Sequence, residues 1–146
     1  MVPTECIFCR ILAGNATATF VHRDERCAVF MDIQPVNPGH LLVVPTHHAR
    51  YLADLDEDSA GRLMAVAHRL AAALRASGLR CDGVNLFLAD GEAAMQEVPH
   101  VHLHVFPRWR DDGFGLRLGP DYGNLPAREE LEATAARIRG ALPAKT

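Results

Sequence analysis

The chain contains one lysine, one tryptophan and two tyrosines among its 146 residues, and no apolar run approaches the ~18 residues of a membrane span. It also lacks a basic surplus. Lys+Arg number 15 against 18 Asp+Glu, a net charge of −3 with His neutral, and that balance argues against a protein that coats nucleic acid. A small anionic ligand needs only a local cluster of donors and stays open. Glu5 and Arg10 interrupt the N-terminal segment and no positive stretch precedes an apolar one, so no secretory signal is read and a cytoplasmic chain with no membrane partner is expected. The 11 Gly and 9 Pro follow no period, which excludes collagen-like and repeat architectures. Apolar residues at 49% and charged residues at 23% suffice to build a core, and with no linker-like shift in composition the expectation is one domain over residues 1–146.

Short β-rich segments alternate with loops. Strands are expected at 18–22, 27–32, 40–45, 83–88 and 98–106, from β-branched and aromatic residues bounded by Gly, Pro, Asn and Asp. His40-Leu-Leu-Val-Val-Pro45 is almost wholly apolar, as a strand buried on both faces would be. Leu63, Val66, Ala67, Leu70, Ala71 and Leu74 recur at helical spacing and predict a helix over 57–77, with Gly78 as a left-handed cap. The Gly-rich stretch 110–125 reads as irregular, and a last helix is predicted from Pro126 towards Leu142. Five strands, a long helix and a C-terminal helix make an α+β fold with an antiparallel sheet.

The four Cys are read as metal ligands or packed thiols. Cys6 and Cys9 form a Cys-x2-Cys pair with no strand before it, which disfavours a thioredoxin-type motif. Structural zinc takes four N or S ligands, and His47, His48, His100 and His104 are all candidates to complete the set. Cys27 and Cys81 read as packed thiols. Five of the eight His fall in two clusters, and the richer one is Gln96-Glu-Val-Pro-His100-Val-His102-Leu-His104-Val-Phe-Pro-Arg108. Period-two alternation puts His100, His102 and His104 on one face of a strand and Val101, Leu103 and Val105 on the other. Neutral imidazole serves as nucleophile, general base or metal ligand near pH 7. Residues two apart on a strand are about 6.8 Å apart, so a division of labour is easier than three imidazoles converging on one ion.

This segment resembles the signature of the histidine triad (HIT) family, His-x-His-x-His with a Gln four residues before the first His, here Gln96. Phe30-Met-Asp32-Ile33-x-Pro35, Gly39-His40-x4-Pro45-x2-His48, the Cys pair and Pro107-Arg108 occur in the family's order, so the likeness runs from about residue 4 to 110. It implies a nucleotide hydrolase or transferase that cleaves a phosphoramidate or phosphoanhydride at the α-phosphate of a purine nucleotide, through a nucleotidyl intermediate on His102. In that reading His104 and His40 contact phosphate oxygens and Gln96 orients the phosphate or leaving group. Asp32 takes the ribose hydroxyls and Ile33 lies against the base. It further implies one structural zinc per chain on Cys6, Cys9, His48 and His100, as in the Cys-bearing bacterial members and the related galactose-1-phosphate uridylyltransferases, and a homodimer. Two departures from the family stand out: Met95 where Gly is frequent, and Ala89 where Asn is frequent, with Asp90-Gly91 resembling the Fhit branch. Two rival readings are a non-catalytic nucleotide-sensing module and a metal-dependent hydrolase using the His row. Arg108 and Arg110 are candidates for a phosphate tail, whereas His22, His47 and His68 read as residues without chemistry. Glu129, Glu130, Glu132 and Arg137 read as the solvated face of the last helix.

Overall fold

The computed structural model describes residues 5–144. It divides into two compact units, one ending at Phe114 and one beginning at Gly115. The first begins with helix α1 (Ile7–Leu12), followed by strands β1 (Phe20–Arg23), β2 (Cys27–Met31) and β3 (Leu41–Pro45). Helix α2 (Glu57–Ala76) then leads to β4 (Gly83–Leu88) and β5 (Leu103–Arg108). The strands form one sheet in the order β1-β2-β3-β5-β4, and every neighbouring pair is antiparallel. This is the expected α+β architecture, and β3 occupies its centre.

Alternation along β2 and β3 explains why both strands are apolar throughout. Cys27, Val29, Leu41 and Val43 join a core beneath α2 with Leu63, Val66, Ala67, Leu70 and Leu74. Ala28, Phe30, Leu42 and Val44 face the other way and pack with Cys6, Phe8, Cys9 and Ile11 of the α1 segment. Both faces are covered, so neither strand has a polar face to show. Helix α2 starts where Asp56 accepts the Ser59 amide at 2.8 Å and stops before Gly78, whose φ of +83° is the left-handed cap read from the sequence.

Two of the boundaries that differ from expectation have a clear local cause. β5 begins at Leu103 and not at Val98. Pro99 has no amide to give a ladder, the His100 amide bonds back to Val98 O at 2.8 Å, and the Val101 amide is taken by Ala49 O at 2.8 Å. The last helix, α3 (Arg128–Ala141), begins two residues after Pro126, where Glu130 Oε2 accepts the Ala127 amide at 3.2 Å. Within the second unit the residues preceding α3 are irregular, and α3 buries none of its residues. No helix among the described residues is long and apolar enough to cross a membrane.

Candidate active site and metal centre

The three triad imidazoles share the sheet face opposite Val101, Leu103 and Val105, all three of which enter the core under α2. The expected alternation therefore holds even though His100 and His102 precede the strand. The imidazoles are not a solvent-facing row, however: His100 is 0% exposed and His102 5%, because Phe8 of α1 packs edge-on against both rings. Nor do they converge. His100 turns to the Cys pair and His104 to His40, which leaves His102 between them.

Each hydrogen-bond partner fixes a tautomer. The carbonyl of His100 can only accept, so His102 donates through Nδ1–H at 2.7 Å and keeps the lone pair on Nε2. That nitrogen has no partner among the described residues. Since no buried side-chain nitrogen or oxygen there is unsatisfied, Nε2 opens to solvent. Burial pushes the His102 pKa below its usual value, against the stabilising bond to His100, so the ring is neutral at pH 7.

On the far side of His102, the Val36 amide donates to His40 Nδ1 at 3.0 Å, which obliges His40 to carry its proton on Nε2. His40 Nε2 lies 2.8 Å from His104 Nδ1, so His40 donates and His104 accepts. The His104 proton therefore sits on Nε2, which likewise has no partner among the described residues and is open to solvent. Burial, and then the neighbouring His102 and His40, push the His104 pKa down to about 4. Asp32 Oδ2 stands 3.5 Å from His40 Nε2, and Oδ1 is held by the Gln34 amide at 2.8 Å. Ile33, beside it, is 93% exposed, an apolar face without a cover.

Of the four imidazoles that could complete the Cys pair, the fold selects His48 and His100. Cys6 Sγ lies 3.5 Å from His100 Nδ1, and Cys9 Sγ lies 3.3 Å from His48 Nδ1 and 3.6 Å from His100 Nδ1. All four ligand atoms fall within 4.8 Å of one another. Tetrahedral zinc with bonds of about 2.1 Å to N and about 2.3 Å to S requires N···S edges of roughly 3.5 Å, so the residues fit that ion. His100 Nε2–H donates to Pro45 O at 3.0 Å, which turns the Nδ1 lone pair toward the sulfurs, as an outer partner does for a ligating imidazole. His47 is exposed and His104 is engaged by His40, so neither joins the set.

Gln96 does not contact the imidazoles through a hydrogen bond. Its Oε1 accepts the Gly91 amide at 2.8 Å and its Nε2 donates to Arg50 O at 2.8 Å, clamping the loop ahead of the triad. Met95 in that loop sits at φ +69° and ψ +31°, left-handed backbone that explains the family's frequent Gly there. Its side chain is exposed. Ala89 is buried, and the neighbouring Asp90 instead ties the loop by accepting the Leu52 amide at 2.9 Å.

Arg108 is committed elsewhere. It forms a two-pronged pair with Asp112 at 2.6 and 2.9 Å and donates to Asn85 and to Phe114 O, so it is no free phosphate ligand. His22 is not isolated either, since Asp24 accepts from it at 2.9 Å and from Arg62 at 2.6 Å. Despite partial burial, these two donors hold the Asp24 carboxyl well below the usual carboxylate range. Sequence reasoning missed Phe8, although its place between Cys6 and Cys9 signals that whatever holds the pair also seats that ring. It also missed Asn37 and Asp112, which meet across 75 positions and leave no local signal.

Comparison with known proteins identifies the fold and the family. The model of the HIT domain matches residues 13–111. A HIT family protein from Bacillus anthracis superposes with a TM-score of 0.88 at 33% identity, covering 96% of this chain and 99% of that one. A zinc-bound histidine triad family protein from Mycobacterium smegmatis shares 39% identity with a TM-score of 0.73, over 94% of this chain and 98% of that one. The adenosine 5'-monophosphoramidase of Saccharomyces cerevisiae is 35% identical over 114 residues, which are 78% of this chain and 68% of that protein.

Proposed function

The chain belongs to the HIT domain family, and on that premise we propose that it is a hydrolase or transferase acting at the α-phosphate of a purine nucleotide. The observation that carries the reading is His102, a neutral imidazole with Nδ1–H held by a carbonyl and Nε2 open to solvent beside the His40–His104 pair. Nε2 attacks the α-phosphorus, a P–N bond forms, and the bond to the leaving amine or phosphate breaks. The leaving group departs with the electron pair and takes a proton from water. The hydroxide left by that proton transfer, or a water that gives it a proton, then cleaves the P–N bond, releasing the nucleoside monophosphate and restoring neutral His102. Splitting the displacement in this way lowers each barrier, and the His104 Nε2–H is a donor set beforehand for the developing charge.

In this reading His40 contributes through His104 on the phosphate side, Asp32 receives the ribose hydroxyls, and exposed Ile33 takes one face of the base. Gln96 holds the loop through its bonds to Gly91 and Arg50, which leaves its second Nε2–H as the donor that orients the reacting phosphate. Cys6, Cys9, His48 and His100 hold one zinc, which supplies folding free energy and fixes α1 over the triad. The assembly we propose is a homodimer, supported by β4 at an open edge of the sheet and by exposed Leu131 and Ile138 on α3. The split of the His row between the two clusters weighs against a catalytic metal held by all three imidazoles. A panel of adenosine and guanosine phosphoramidates, dinucleoside polyphosphates and adenylated metabolites, assayed with purified protein, tests the proposal. Turnover of at least one class, lost in His102→Ala, is the expected result, and no turnover of any class leaves the non-catalytic binding module.

A further inference from the structure

The loop between Asp32 and His40 is pinned from below by a buried polar pair that the proposed chemistry does not use. Asn37 is buried, and its Nδ2 donates to Pro107 O at 2.9 Å and to Asp112 Oδ2 at 2.8 Å. Asp112 is a strong anchor. Its side chain is 1% exposed, and it also accepts from Arg108 at 2.6 and 2.9 Å, from the Phe114 amide at 3.1 Å and from the Trp109 amide at 3.3 Å. The Arg108 guanidinium, followed by Asn37, holds its carboxyl well below the usual range, so the anchor stays charged. Two residues on, Gly39 has a φ of +103°, and a Cβ there would meet Leu79 at 3.0 Å, Leu74 at 3.2 Å and Pro107 at 3.3 Å. The loop is therefore seated at both Asn37 and Gly39.

What the seat presents to the site is the Val36 N–H. It donates to His40 Nδ1 at 3.0 Å, while Asn37 O accepts the His40 amide at 3.1 Å. An N–H cannot accept, so wherever it is held in place His40 must be protonated on Nε2, His104 must accept on Nδ1, and His104 must present Nε2–H outward. Without that donor, the proton between His40 and His104 could rest on either ring. With it on His104 Nδ1, His104 Nε2 would present a lone pair to an anionic phosphate, which is repulsive where a donor is needed.

We infer that Asn37, anchored by Asp112, is a positioning residue that acts through the Val36 amide to fix the direction of the His40–His104 hydrogen bond, so that the pair offers only a donor to phosphate. The consequence for catalysis rests on the proposed nucleotide chemistry, but the direction of the bond does not. It can be measured in the protein without nucleotide, so its failure is distinct from failure of the hydrolase reading.

The test is nitrogen-15 NMR of the full chain labelled at histidine and at Val36, for the parent protein, Asn37→Ala and the milder Asn37→Ser. In the parent, the bridging proton should show its one-bond coupling to His40 Nε2, with His104 Nδ1 as an unprotonated acceptor. In both variants that proton should divide between the two rings, and the Val36 amide should exchange with solvent about tenfold faster or more. His102, tied to His100 O and not to the loop, should keep its single Nδ1–H state, which separates loss of positioning from general unfolding. A bridging proton found on His104 Nδ1 in the parent would overturn the inference. So would a proton that stays wholly on His40 Nε2, with Val36 still protected, in variants whose His102 signal shows them folded.

Discussion

The carbonyl oxygen of His100 accepts the Nδ1–H of His102 at 2.7 Å, so one residue turns its ring to the Cys pair and its backbone to the proposed nucleophile. The imidazole facing Cys6 and Cys9 and the tautomer that frees His102 Nε2 thus depend on the same two-residue turn.

His102→Ala should abolish turnover and leave nucleotide affinity within about tenfold, roughly 1.4 kcal/mol, because the side chain is assigned to bond making more than to binding. Quenching a reaction with labelled nucleotide should trap an acid-labile, base-stable adduct on His102. An alanine variant that turns over at a comparable rate, with no adduct in the parent, would show that the displacement is direct.

Protein purified without added metal should carry close to one equivalent of zinc. Cys6→Ala should lower both metal content and thermal stability, since ligand binding and folding of such a site are one equilibrium. The loss should reach His102 as well, because Phe8 of α1 packs against it and lies between the two Cys ligands. Demonstrably metal-free protein with undiminished stability would defeat the assignment.

Met95→Gly should raise stability by about 0.5–1 kcal/mol, read as an increase in the denaturation midpoint. A left-handed backbone strains any residue with a Cβ, and the exposed Met95 side chain contributes little burial to offset that strain. A destabilised glycine variant would mean that the Met side chain makes a contribution larger than the strain.

Acidification should destabilise the protein between about pH 6.5 and 4. Half-buried His104 has its pKa pushed down to about 4, against an unfolded value of about 6.5, so in this window the unfolded chain binds more protons than the native one. Stability is therefore full above pH 6.5 and falls as the pH drops towards 4. The groups facing His104 are His102, His40 and Asp32. His104→Gln should flatten part of this slope in thermal melts at pH 7 and pH 5, and parallel slopes for parent and variant would refute the account.

The sequence by itself determined those features whose cause is local. The apolar spacing from Leu63 to Leu74, the Asp56 cap and Gly78 specify α2, because helical periodicity and capping act within a few residues. The unbroken apolar run of β3 announced its central place, and alternation through the triad correctly sorted His from Val and Leu. Tertiary structure decided what depends on distant partners. His48 and His100 complete the Cys pair, rather than His47 or His104, only because β3 and the segment before β5 carry them to α1, with 94 positions separating Cys6 from His100. β5 starts late because Ala49 takes the Val101 amide. The acceptor that holds His102 is the His100 carbonyl two residues back, since the bend at Pro99–His100 brings that carbonyl onto the ring. Arg108 is bound to Asp112 and unavailable to a phosphate, and Asn37 meets the same carboxylate across 75 positions. The pairings that span tens of residues are fixed by the path of the backbone in three dimensions, and residue spacing along the chain carries no trace of them.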